Sequence, residues 1–145
     1  MNKENNPFDN LLKIGQLKRE AFIQAEFDGL VSTANRKLHD SKNANLSKDS
    51  RFDLAYNAAH SLALAALRKA GYRSENRYTV FQLLESTAGL PASIWRIFAT
   101  AHQKRNLAEY EGFTEIESSL LEALINATER LNLVLRNTNW TKKFS

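Results

Sequence analysis

A chain of 145 residues, 43% hydrophobic and 25% charged, is sized and balanced for one globular core. It contains no cysteine, which excludes disulfides and thiolate chemistry, and its five Gly and two Pro against abundant Ala and Leu favour helices over β structure. A net charge of +4 and a pI near 9.4 permit phosphate binding. Lys and Arg are nevertheless scattered, in short groups such as Lys18-Arg19, Arg68-Lys69 and Lys142-Lys143, so most are expected on solvated faces.

In chain order, MNKENNPFDN lacks the apolar centre of a signal peptide, and the longest apolar run, Leu62 to Leu67, is too short to span a bilayer. A cytoplasmic protein with no membrane association is expected. Phe8 to Leu17 reads as a short helix, with Leu11, Leu12 and Ile14 as a weak apolar edge. From about Glu20 to Asp40, Ile23, Phe27, Leu30, Val31, Ala34 and Leu38 recur at helical spacing. Gly29 weakens that helix by about 1 kcal/mol relative to Ala without breaking the period. Ser41 to Asn45 is a turn by composition, and Ser47 to Ser50 supplies N-cap candidates, with Asp53 at capping-box spacing from Ser50. The helix that follows runs to Ala70 and stops at Gly71. It is apolar nearly all round, from Leu54 to Leu67, which predicts burial against several neighbours or in an oligomer interface.

Tyr72 to Asn76 reads as a loop. Val80, Phe81, Leu83 and Leu84 mark a short helix ended by Gly89, and Pro91 suits the first turn of the next. That helix carries Ile94, Ile97, Phe98, Ala101 and Ala108 on one stripe and ends at Gly112. Arg105 stands in the middle of the stripe, so its guanidinium either reaches a groove or partner surface or is paired and buried. Thr114 and Glu117 form a capping box for the last helix, which runs to about Leu135 with Ile116, Leu120, Leu124 (or Leu121), Ala127, Leu131 and Val134 or Leu135 on its stripe. Asn137 to Ser145 reads as a tail that Trp140 and Phe144 can dock. Four substantial helices, two short ones and short connections predict an all-α fold, an antiparallel four-helix bundle with additional short helices.

Arg105 and Asn106, three further residues, then Tyr110 and Gly112 resemble the signature of HEPN domains. In that family an Arg and a polar residue precede a His, across a short spacer, on one helix of a small bundle. The stretch RFDLAYNAAHSLALAALRKAGYR, Arg51 to Arg73, is similar to the long second helix of a HEPN subfamily that also reads RN, three residues, then Tyr and Gly. The resemblance implies a single HEPN-like helical domain over residues 1–145, with its core at about 20–136 and a tail at 137–145. It also implies kinship with metal-independent ribonucleases, many of them toxins paired with a nucleotidyltransferase antitoxin, and a homodimer in which the active groups of two subunits meet.

On that resemblance, Arg105 contacts a phosphate and Asn106 helps to position it; a forked guanidinium suits phosphate oxygens and the charge of a phosphorane-like transition state. The plain alternative is a helix ion pair from Arg105 to Glu109, four residues on. Tyr110 occupies the family's His position, and with an ordinary pKa of about 10 it is a poor general base for a ribose hydroxyl. On a straight helix it also lies roughly 140° from Arg105, so convergence requires a bend or a second subunit. His102, roughly 60° from Arg105, is the candidate replacement imidazole. His60 reads as a hydrogen-bonded core histidine. There is no Gly-rich phosphate loop, HExxH, Cys/His cluster or GxSxG, so no metal or cofactor is expected. The leading expectation is an RNA- or nucleotide-binding protein with weak or no nuclease activity. A non-enzymatic, antitoxin-like interaction protein and an active ribonuclease toxin are the alternatives.

Overall fold

The computed structural model describes residues 6–112 and 115–137. Among these residues the chain is mostly helical: α1 (Pro7–Lys13), α2 (Gln24–Ser41), α3 (Lys48–Lys69), α4 (Arg77–Gln82), α5 (Leu84–Thr87), α6 (Ala92–Glu111) and α7 (Ser118–Arg136), with a ribbon of β1 (Lys18–Arg19) and β2 (Tyr72–Arg73). Local chemistry sets the main helix ends. Ser47 caps α3, its hydroxyl accepting the backbone N–H of Ser50, and Asn76 caps α4 in the same way through the N–H of Thr79. Gly71, at φ +94, follows the end of α3, and Gly112, at φ +76, ends α6; both take the left-handed conformation that L side chains resist.

α3 is the central element. It packs on α2, α7, α4, α5, α6 and β2. Six of its alanines are fully buried, as are Leu62 and Leu67, and these small side chains let the surrounding helices approach closely. Each buried leucine contributes about 1.5–3 kcal/mol relative to exposure. The near absence of a polar face on α3 is thus satisfied within one chain, so α3 does not require the second copy that its pattern suggested. On α7 the buried positions include Leu121, Leu124, Ile125, Ala127, Leu131 and Leu135, with Ile116 just before the helix. Both Leu121 and Leu124 are buried, Leu135 is more deeply buried than Val134, and Leu120 and Val134 pack half-buried against the same core. α7 begins at Ser118 with Glu117 as its cap residue, and Thr114 of the expected capping box lies outside the described residues, as do Trp140 and Phe144.

Three expectations are corrected. Ile23 is exposed and precedes α2, which starts at Gln24 because the chain up to that point is extended. The packed unit begins before residue 20: Leu17 is buried, Leu11 and Leu12 pack on the core, and the Phe8 ring stacks on Tyr72 with centroids 4.5 Å apart. Tyr72 and Arg73 are a strand rather than a loop, paired antiparallel with Arg19 and Lys18.

Arg68 explains that ribbon. It is fully buried, not on a solvated face. Its Nε donates to Glu26 Oε1 at 2.9 Å, its Nη1 to the carbonyls of Glu20 (3.0 Å) and Tyr72 (3.2 Å), and its Nη2 to the carbonyl of Ala21. Arg73 donates to Glu20 at 3.0 Å and also pairs with Glu26. The hydrogen bond from Arg73, assisted by Arg68 and opposed by partial burial, holds the Glu26 carboxyl below its ordinary value.

Candidate functional site

α6 runs past α3 and α4, and its inward row continues from Trp95 and Phe98 to His102 and Arg105. Trp95 and Phe98 are buried; His102 and Arg105 are half-buried, where the row emerges from the core. What they meet there is Tyr56 of α3, itself fully buried. The guanidinium carbon of Arg105 lies 5.1 Å from the Tyr56 ring centroid, and that of Arg77, the first residue of α4, lies 5.6 Å from it. A cation over the negative face of an aromatic ring is attracted by its quadrupole.

The imidazole of His102 lies near-parallel to the Tyr56 ring, at 16° with centroids 6.1 Å apart, and its Nδ1 is 2.8 Å from the Tyr56 hydroxyl. Its Nε2 is 3.3 Å from Asn106 Nδ2. An amide N–H donating to Nε2 leaves the proton of a neutral imidazole on Nδ1, from which it donates to the tyrosine oxygen. His60, one turn beyond Tyr56 on α3, meets the edge of Phe81 with centroids 5.9 Å apart.

Both histidines are held neutral. Burial, reinforced by Arg77, His102 and Arg105, pushes His60 down from 6.5 to about 4. Burial, then Arg77 and Arg105, likewise lowers His102. The cationic character of the cluster therefore resides in two guanidiniums, and they differ in their partners. Arg105 Nε is 3.7 Å from Asp53 and its Nη1 is 3.5 Å from Glu109, both carboxylates being mostly exposed. These separations exceed the roughly 2.7–2.9 Å of a close charge-assisted hydrogen bond, so Arg105 is attracted but not saturated. Arg77 Nη1 is buried and has no hydrogen-bond partner among the described residues. Arg68, by contrast, has a partner for each of its three nitrogens.

The expected site residues separate accordingly. Arg105 and His102 come together on Tyr56, and Asn106, exposed, joins them only through His102. Tyr110 does not join them: it is 90% exposed on the last turn of α6. The expected Arg105–Glu109 pair is present, and Asp53 shares Arg105 with it. Beside Arg105, Asp49, Phe52, Asp53, Lys104, Ala108 and Ile116 line a cleft of about 210 Å³ between α3, α6 and the approach to α7. Sequence reading missed Tyr56 and Arg77 as members of the cluster. The available signal was a Tyr and a His one turn apart, at 56 and 60, within an otherwise apolar helix.

Among the described residues there is no cluster of His, Cys, Asp or Glu able to hold a metal ion, and no helix is long and apolar enough to cross a membrane. No family model, curated protein or solved structure matches this chain.

Proposed function

We propose that this chain is a HEPN-like antiparallel four-helix bundle that binds RNA or a nucleotide through Arg105, with Asn106 and His102 beside it, and that has weak or no nuclease activity. The observation that carries the reading is the unsaturated guanidinium of Arg105 at the rim of the core, held on Tyr56 and open to the cleft. Its two carboxylate partners are exposed and 3.7 and 3.5 Å away, an arrangement that a phosphate competes with readily. Weak catalysis follows from the acid–base groups. Tyr110 is a poor base and stands apart, while the acceptor nitrogen of His102 already takes the Asn106 amide.

The reading includes a homodimer, supported by Leu107 and Tyr110, which lie three residues apart on α6 and are both exposed. A nucleotidyltransferase is the partner protein that the resemblance suggests. The second reading, a non-enzymatic interaction protein, draws on the same Asp53 and Glu109 contacts if they serve only to brace α6 against α3.

Binding of a fluorescent single-stranded RNA and of AMP to Arg105→Ala separates the two. Exposed ion pairs are each worth about 0–1 kcal/mol, so the variant should melt within a few degrees of the parent while binding is lost. Binding equal to the parent's, or a loss of stability on the order of 3 kcal/mol or more as for a broken buried pair, favours the bracing role.

A further inference from the structure

We propose that Arg77 and Arg105, both held on the Tyr56 ring with His60 and His102 beside them, form a two-guanidinium phosphate site in which Arg77 is the principal ligand. The inference deepens the RNA- or nucleotide-binding reading by assigning the phosphate to a residue outside the Arg105-Asn106 motif. Three observations carry it.

The first is the state of Arg77. A buried guanidinium nitrogen without an acceptor carries an uncompensated desolvation cost, and Arg77 Nη1 is in that state. The second is the charge balance. The groups around Tyr56 are Asp53 and His60 on α3, Arg77 on α4, and His102, Arg105 and Glu109 on α6. Both carboxylates lie against Arg105 at 3.7 and 3.5 Å, and Arg77 has no ion-pair partner within 4 Å among the described residues. The third is that the two cations share one platform: their guanidinium carbons lie 5.1 and 5.6 Å from the same ring centroid. Two planar forks anchored on one rigid side chain suit an oxyanion with several equivalent acceptor oxygens, and each N–H···O bond to it is charge-assisted. A phosphate that draws Arg77 Nη1 out of its buried position also supplies the acceptor that this nitrogen lacks. The anion offsets the field of the guanidiniums on His102, whose imidazole therefore reports its arrival, while burial, the larger cause of the lowered pKa, is unchanged.

The test starts with the unmodified protein. Inorganic phosphate is titrated at constant ionic strength while the imidazole nitrogen resonances of His102 and His60 are followed, with chloride as the reference anion. The expected result is a saturable shift of His102 with phosphate and none with chloride, accompanied by a rise in melting temperature. Arg77→Gln should weaken phosphate binding at least about tenfold, the loss typical of a removed hydrogen bond to a charged group. Arg77→Lys, which keeps the charge and loses the fork, should fall between the two, and Arg19→Gln on β1 should match the parent. AMP and the dinucleotide ApA then distinguish a terminal phosphate from an internal one.

Phosphate binding that survives Arg77→Gln but is lost in Arg105→Gln overturns the assignment to Arg77 and leaves RNA or nucleotide binding standing. Phosphate binding that depends on Arg77, in a protein that binds neither RNA nor nucleotide, supports the site and removes the reading above. No saturable response in the parent overturns the site outright.

Discussion

His60 is an imidazole that the folded chain keeps from protonating near neutrality. Its pKa is about 4 when folded, against 6.5 ordinarily, so below pH 6.5 the unfolded chain binds a proton that the native chain does not. Stability therefore falls as pH drops from 6.5 towards 4, by about 3 kcal/mol in all from this group. His102 shifts in the same direction and adds to the loss. Glu26, depressed below 4.5 chiefly by its bond from Arg73, takes over in more acid solution: its contribution is complete above 4.5 and is lost as pH falls through its lowered value. Melting temperatures measured from pH 7 to pH 4 should decline throughout, and His60→Gln should flatten the part between pH 6.5 and 4. A parent with the same melting temperature at pH 7 and pH 5 would contradict this account. The role of His60 was half-legible in the chain: its place in an apolar helix indicated the core, but Arg77 and Arg105 are 17 and 45 positions away (77 − 60 and 105 − 60) and share no local pattern with it.

The elements divide by how locally they are encoded. α3 and α6 end at Gly71 and Gly112 because those residues have the left-handed conformation open to them, and that signal is local enough to read from the sequence. The β1–β2 ribbon was not legible, since two paired residues on each strand carry no period, and its clamp lies far away on α3. Arg68 looked like part of a surface pair with Lys69, and only folding brings Glu26 and three carbonyls onto it. Removing that guanidinium should be costly. Arg68→Ala leaves the carbonyls of Glu20, Ala21 and Tyr72 without their donor, and a loss of about 3–5 kcal/mol is expected, read from urea unfolding at pH 7. Ser47→Ala, which removes only the cap of α3, should cost about 1 kcal/mol. If Arg68→Ala cost no more than Ser47→Ala, the ribbon would not depend on the clamp.

For the whole molecule, assembly bears directly on chemistry. Tyr110 points to solvent within one chain, so an imidazole placed there reaches an Arg105 only across a contact between two copies. If the proposed homodimer forms, light scattering should report twice the chain mass at micromolar concentration. Tyr110→His should then raise metal-independent RNA cleavage, with 2′,3′-cyclic phosphate ends and a rate per chain that grows with protein concentration. A strictly monomeric protein, or cleavage by Tyr110→His that is independent of concentration, would remove the shared-site idea. The central position of α3 has a consequence for how the protein is made. α2 and α3 are neighbours in sequence and pack together, whereas α7, which covers another side of α3, leaves the ribosome well after them. At roughly 5–20 residues per second, several seconds pass in which a helical hairpin stands with its alanine- and leucine-rich side open to water. The nascent chain is therefore a stronger client for chaperones than the folded bundle, and a ribosome stalled before α7 should display a protease-sensitive, aggregation-prone intermediate.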